Sequence, residues 1–220
     1  YEILRCLVGS EMCIRDRFKK VWRTLFVITI AVPQFVSLLL MRNFLNDHGP
    51  LNGLLQTLHL TNGPIPFLTD PLWAKFSIIF VNMWIGIPFT MLVATGIIMN
   101  LPTEQIEAAE IDGASKFQIF KSITFPQILL IMAPSLIQQF IGNINNFNVI
   151  YFLTGGGPTN SEYYQAGSTD LLVTWLYKLT VSAKDYNLAS VIGILIFAIS
   201  ATFSLLAYTR SSSFKEGAAK

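Results

Sequence analysis

Charge is what this chain has least of. Only 13% of its 220 residues are Asp, Glu, Lys or Arg, about half the share found in an ordinary soluble domain. The net charge of +2 is small and scattered, so nothing here forms the basic footprint that nucleic acid requires. Cysteine is equally sparse: Cys6 and Cys13, both near the N-terminus, make neither a disulfide framework nor a metal-site spacing. The two histidines, His48 and His59, stand alone. No nucleophile–base pair and no metal-ligand set can be assembled, so no catalytic residue and no metal site is expected. Residues 155–160, GGGPTN, lack the Lys-Ser/Thr of a phosphate-cradling loop and read as flexible turn material.

What the chain has instead is apolar surface in long blocks. Hydrophobic residues make up 52% of it, and the mean hydropathy is +0.52. Four uncharged blocks run from about Thr24 to Met41, Phe76 to Met99, Ile128 to Leu153 and Leu188 to Tyr208. A helix needs roughly 20 apolar residues to cross the hydrocarbon core of a bilayer, and each block is close to that or longer. The expected fold is therefore all-α, a polytopic transmembrane helical bundle with about four spans in residues 18–220. Membrane lipid is its surroundings.

Lys and Arg near the span ends give the orientation. Arg17, Lys19, Lys20 and Arg23 precede the first span, Lys116 and Lys121 lie between the second and third, and Arg210, Lys215 and Lys220 are in the tail. The two other loops hold only Arg42, Lys75, Lys178 and Lys184. The N-terminus of the retained segment, the C-terminus and the loop around 101–127 are thus expected in the cytoplasm. Residues 1–17 have no secretory-signal pattern. The string CLVGSEMCIRDR resembles translated adapter read-through, so this segment is expected to be non-native and the chain N-terminally truncated.

The cytoplasmic loop carries the densest information. Pro102 suits a helix start, and TEQIEAAEI supplies helix formers with acids early in the run. Asp112-Gly113 reads as a turn. Ser115 with Gln118 three residues on matches a capping box. Phe117, Phe120, Ile123 and Thr124 then form an apolar face, and Pro126 is expected to separate this second short helix from the next span. Periodicity alone leaves open an amphipathic hairpin lying on lipid.

A polar stripe runs along the third span. At 100° per residue Ser135, Gln139, Asn143 and Asn146 share one side, and on the second span Asn82, Gly86 and Phe89 do the same. Amides in lipid are costly unless paired. They offer donors and acceptors to hydroxyl groups, while an aromatic face can lie against a sugar ring. The same residues could equally be interhelical packing groups; Gln138, Asn145 and Asn148 point elsewhere and read as packing. LNGLLQTLHL, residues 51–60, and DLLVTWLYKLT, residues 170–180, read as short amphipathic helices near the opposite membrane surface.

The sequence Glu107-Ala108-Ala109, then Gly113-Ala114, Phe120, Ile123 and Pro126 resembles the EAA motif of permeases in binding-protein-dependent ABC importers, with Phe125 in place of the usual Leu. The resemblance extends over residues 18–220. Through AVPQFVSLLLMRNF, VNMWIGIPF, INNFNVIYFLTGGGP and GSTDLLVTWLYKLT, it points to the larger membrane subunit of maltose and maltodextrin importers. It implies a non-enzymatic permease that moves a neutral sugar by alternating access across the bacterial cytoplasmic membrane. Implied partners are a second permease (a heterodimer), an ATPase dimer that holds the ATP and Mg, and an extracytoplasmic sugar-binding protein. This chain itself would bind no cofactor. Residues Glu107, Ala108, Ala109, Asp112, Gly113, Ala114, Phe120 and Pro126 would couple to the ATPase. Asn82, Gly86, Phe89, Gln139, Asn143 and Asn146 would hold the sugar, although Gly142 stands where the family has an aromatic residue and Gln139 where it has a small hydroxyl. An ion-gradient transporter is the alternative; the spans lack the carboxylate or histidine that proton coupling normally uses. A membrane enzyme would need a catalytic cluster.

Overall fold

The computed structural model describes residues 21, 24, 28 and 30–210. The segment 1–17 and much of the first expected span lie outside the described residues. Everything described is helix or connection, apart from one isolated antiparallel bridge between Thr159 and Gly167. From Gln34 onward, eight helices follow in order among the described residues: α1 (Gln34–Phe44), α2 (Pro50–Thr57), α3 (Pro71–Met99), α4 (Thr103–Ile111), α5 (Lys116–Ile144), α6 (Phe147–Leu153), α7 (Leu172–Lys178) and α8 (Tyr186–Arg210). Among them, α3, α5 and α8 are long and apolar enough to cross a membrane. The chain is thus a multi-pass membrane protein with three long apolar helices in view.

The first expected span is not continuous through Pro33. Helical residues reach Ala31, the chain bends at Val32, and Pro33 caps a new helix from Gln34. A proline has no N–H to continue the ladder and pushes the residue before it out of the helical region. Helix α3 starts cleanly: the Asp70 carboxylate accepts from the N–H of Leu72 and Trp73 at 2.9 and 3.1 Å, with Pro71 at the first position.

Two expectations about the third span need correcting. Pro126 does not separate a short helix from a span: the helix runs unbroken from Lys116 to Ile144. A π-turn at Phe120–Thr124 precedes the proline, and its wider loop draws the carbonyl one turn back clear of the pyrrolidine ring. The span also stops at Ile144 rather than Leu153. Asn145 caps its end and Asn146 opens α6, its side-chain oxygen accepting from Val149 N–H at 3.2 Å. Asparagine satisfies loose helix-end groups well, and two in succession break the rod.

The packed core gathers at the end of the bundle that holds residues 45–70 and 145–185. Leu38, Leu45, Val81, Val149 and Leu153 form one buried cluster, joined by Met41, Leu51 and Phe67. Leu179, Ala189 and Ile192 form another with Trp175 and Leu176. Asn52 is buried there as well. Its amide donates to Ile65 O at 3.0 Å and accepts from Ile65 N–H at 2.9 Å, tying α2 to the following loop. The connection after α6 is not loose turn material, as its glycines had suggested. Gly155 and Gly156 take positive φ, and a Cβ on Gly156 would run into the carboxylate of Asp170. Asp170, with a side chain 3% exposed, is paired with Lys178 at 2.6 Å and accepts from Gly167 N–H at 2.7 Å. By contrast, only 17%, 11% and 11% of the most apolar windows of α3, α5 and α8 are buried. Most of their apolar surface faces outward, as lipid or another subunit requires.

Candidate functional site

Helices α3 and α5 run antiparallel and exchange side-chain hydrogen bonds at two levels. At the first, Asn82 Nδ2 donates to Asn143 Oδ1 at 2.9 Å, and Asn146 Nδ2 donates to Asn82 Oδ1 at 2.9 Å. Residues read from the sequence as polar stripes on two separate spans are therefore brought together. The break after Ile144 is what allows it, because Asn146 reaches Asn82 from the cap of α6 while its own oxygen holds that helix. Asn82 lies about 16 Å along α3 from Pro71 at 1.5 Å per residue, roughly half the thickness of a hydrocarbon core.

At the second level Thr90 Oγ lies 3.1 Å from both Gly86 O and Gln139 Oε1. One hydroxyl proton serves one acceptor at a time. With Gly86 O as that acceptor, an amide turned end for end lets Gln139 Nε2, buried and otherwise without a partner, donate to Thr90. Thr90 was missed in the sequence. The signal was there: it sits one turn beyond Gly86, 80° from Asn82, beside the stripe. Between the two levels a Cβ on Gly86 or on Gly142 would meet no heavy atom within 4 Å. The glycines open space rather than permit a tight turn.

Phe89, half exposed, lies on the same side of α3 and lines a cavity of about 420 Å³ with Pro33, Gln34, Ser37, Trp84 and Ile85. The Ser135 hydroxyl bonds within its own helix, donating to Met132 O at 2.8 Å. Asn145 and Asn148 act between helices, bonded to Ser200 on α8 at 3.0 Å and to Gln34 at 3.4 Å. Past the site, Phe147, Tyr151 and Tyr177 pack ring on ring with centroids 4.9 to 5.2 Å apart. The hydrogen bond that the Tyr177 hydroxyl donates toward Tyr151 favours the neutral phenol and raises Tyr177 above the usual phenol range.

The second constellation is at the other end of the bundle. Helix α4 ends in a Schellman turn: Ala114 N–H reaches Ala109 O at 3.0 Å and Gly113 N–H reaches Glu110 O at 3.1 Å. Gly113 takes φ +79, a left-handed position that suits glycine. Asp112 sits at the C-cap, its N–H on Ala108 O. The capping box opens the next turn, with Gln118 Oε1 accepting from Ser115 N–H at 2.8 Å and Ser115 Oγ accepting from Gln118 N–H at 3.4 Å. A side-chain bond from Gln127 to Gln105 clamps α4 to the base of α5. Glu107 and Ala108 face solvent, and Pro126 sits just past the π-turn. Ile111 and Phe117 are 86% and 72% exposed and Phe120 is half exposed, so an apolar patch stands clear at this end.

The comparisons with known proteins agree with this architecture. Residues 6–213 match the family described as binding-protein-dependent transport system inner membrane component. The chain is 40% identical over 205 residues to the galactooligosaccharides transport system permease protein GanP of Bacillus subtilis, covering 92% of this chain and 48% of that protein. It is 37% identical over 220 residues to the maltodextrin transport system permease protein MalC of Streptococcus pneumoniae, covering 96% and 50%. The chain therefore spans about half the length of these relatives. Its fold is similar to that of a bacterial alginate ABC transporter crystallised with an alginate pentasaccharide-bound periplasmic protein. That likeness has a TM-score of 0.78 at 25% identity, over 90% of this chain and 67% of that one. The family match extends over nearly the whole chain, the identity to two permeases exceeds 35%, and the helical fold agrees. On these grounds the chain belongs to the binding-protein-dependent transport system inner membrane components.

Proposed function

We propose that this chain is a permease subunit of an ATP-driven importer that passes a neutral oligosaccharide of the maltodextrin or galacto-oligosaccharide kind. The observation that carries the reading is the Asn82–Asn143–Asn146 cluster at mid-span beside the open face of Gly86. Amides bonded to one another can exchange those bonds for sugar hydroxyls, so the cost of breaking them is returned on binding. Nothing charged stands among Asn82, Gly86, Phe89, Gln139, Asn143 and Asn146. That favours a neutral sugar over the acidic polysaccharide carried by the alginate transporter.

The chain performs no chemistry and holds no cofactor; ATP and Mg belong to a partner ATPase dimer. Exposed Ile111, Phe117 and Phe120 form the apolar surface that enters a cleft on that ATPase, and Glu107 meets a basic residue beside it. Ala108, Ala109 and Ala114 allow close approach of the backbones, and the turn at Asp112-Gly113 sets the angle. Because α5 runs without a break from Lys116 to Ile144, a displacement of the coupling turn passes along one rod to Gln139 and Asn143. This is the physical route for alternating access. The Lys and Arg distribution puts the coupling loop and both ends of residues 18–220 on the cytoplasmic side. A second, different permease covers the remaining apolar faces, and an extracytoplasmic binding protein delivers the sugar.

The decisive experiment is uptake of labelled maltotriose into proteoliposomes holding this subunit, its partner permease and the ATPase, with and without ATP and the binding protein. Accumulation that requires both supports the reading. Accumulation that ignores ATP and follows an ion gradient refutes it.

A further inference from the structure

Where α1 ends, a polar pocket of about 190 Å³ opens that neither the amide cluster nor the coupling turn uses. Arg42, Asn46, Asp47, Thr69 and Thr154 line it, with Leu68 and Leu153 as its apolar part. It is smaller than the roughly 300–1,000 Å³ of ordinary small-molecule sites, so an oligosaccharide does not fit. Leu153 is fully buried in the same core cluster as Leu38 and Leu45, which holds this side of the pocket in place.

Depth in the membrane follows from the helix beside it. Thr69 stands just before α3, whose 29 residues extend about 43 Å at the helical rise. A bilayer with its headgroups is about 40–45 Å thick, so the start of α3 lies in the headgroup layer. Trp73, 45% exposed and one turn past Thr69, is of the residue type that gathers at that level. The pocket is therefore level with phospholipid headgroups, at the end of the bundle away from the coupling turn.

The charges in the pocket are unspent. Among the described residues Arg42 has no hydrogen-bond or ion-pair partner, so all its N–H donors are free. Asp47 lines the same pocket without pairing to it, and its oxygens receive only the Thr69 hydroxyl, at 3.4 Å from each. The side-chain oxygen of Asn46 accepts from His48 N–H at 3.3 Å, which leaves its amide N–H groups to donate. An arginine at the end of a span is by itself an ordinary interfacial anchor. The unpaired carboxylate in the same pocket is what sets this one apart. A simple anion would satisfy Arg42 and be repelled by Asp47, and a simple cation would do the reverse. A group that carries both charges a few atoms apart satisfies both.

We propose that this pocket binds the headgroup of a zwitterionic phospholipid of the phosphoethanolamine kind. Its phosphate sits on Arg42 and the Asn46 amide, through the charge-assisted, two-pronged contact that arginine makes to phosphate. Its ammonium donates to Asp47, with the Thr69 hydroxyl beside it. Basic pockets between spanning helices bind lipid headgroups; the carboxylate adds selection for a zwitterion. The bound lipid ties the end of α1 to the entrance of α3.

The test is native mass spectrometry of the assembled complex, stripped of lipid and titrated in detergent micelles. The probes are phosphatidylethanolamine, phosphatidylglycerol and phosphatidylcholine, and the readouts are the tightest affinity for each and the ratios between them. The unsubstituted complex should prefer phosphatidylethanolamine, since the glycerol headgroup has no ammonium and the trimethylated choline nitrogen has no N–H to donate. Arg42→Gln should weaken both the ethanolamine and the glycerol lipid about tenfold, as loss of a hydrogen-bonded charge implies. Arg42→Lys should restore most of that loss. Asp47→Asn should lower the ethanolamine-to-glycerol ratio about tenfold on the same grounds, with the glycerol lipid bound at least as well as before. An unsubstituted complex that holds no lipid above the micelle background overturns the proposal, as does an unchanged ratio in Asp47→Asn. Lipid binding untouched by Arg42→Gln, together with weaker association of the extracytoplasmic binding protein, also overturns it and makes the pocket a socket for an acidic side chain of that protein. None of these readouts depends on transport, so failure here leaves the sugar reading standing.

Discussion

The turn at Gly113 allows a quantitative test of the coupling loop. Its φ of +79 lies in the left-handed region, and a Cβ built there meets nothing within 4 Å. Substitution therefore costs backbone strain and no clash. An L-residue in this conformation costs roughly 1–2 kcal/mol, less for Asn and Asp, and more for a β-branched residue. The strain acts on a turn held by two hydrogen bonds, Ala114 N–H to Ala109 O and Gly113 N–H to Glu110 O. The fraction of time the turn is closed should fall about 5- to 30-fold relative to open forms for Gly113→Ala, since one or two kcal/mol corresponds to that factor. Hydrogen exchange at Gly113 and Ala114 in the purified complex measures it, and ATP-driven uptake measures the consequence. The expected order is Gly, then Asn, then Ala, then Val, with membrane levels unchanged because no buried group is disturbed. Gly113→Asp should match Asn in exchange; a larger loss of uptake would assign the difference to charge at the ATPase contact. Should Gly113→Val exchange and transport like the unsubstituted chain, or Asn fare worse than Val, the left-handed turn is not what holds the loop.

Other consequences can be checked with single variants. Asn82→Leu removes two interhelical bonds, worth about 0.6 kcal/mol each in membrane proteins. It should lower the thermal midpoint of the detergent-solubilised complex by only a few degrees while abolishing most uptake; a large stability loss with normal uptake per assembled complex would make Asn82 a packing residue. Thr90→Val leaves Gln139 without its partner and should cost about 1–3 kcal/mol, read by thermal unfolding, with Thr90→Ser restoring most of it. Lys178→Met leaves the buried Asp170 carboxylate unpaired, a loss of about 3 kcal/mol or more. Limited proteolysis between residues 154 and 170 should accelerate, and adding Asp170→Asn should slow it again. Ser115→Ala opens the capping box at a cost of about 1 kcal/mol, visible as faster exchange at Gln118.

Much of this chain follows from local pattern. Span length, the low share of charge and the Lys and Arg bias depend on the solvent around a helix, not on its neighbours, so α3, α5 and α8 were legible in outline. The turn at Asp112-Gly113 and the Ser115–Gln118 box were equally legible, because caps and left-handed positions are settled within four or five residues. The polar stripes, Asn82 on one span and Asn143 with Asn146 on another, were visible as periodicity, yet periodicity left packing and ligand binding equivalent. What only the tertiary structure decided depends on distant groups. The pairing of Asn82 with two asparagines requires the break between α5 and α6. The partnership of Thr90 with Gln139 joins positions 49 residues apart. The continuity of α5 through Pro126 depends on a π-turn that no residue type demands. The cavity behind Phe89 exists because the bend at Pro33 sets the first turn of α1 against the middle of α3. Residue type fixes what a segment can do in lipid or at a helix end; which helix meets it, and at what depth, is decided by packing across the whole bundle.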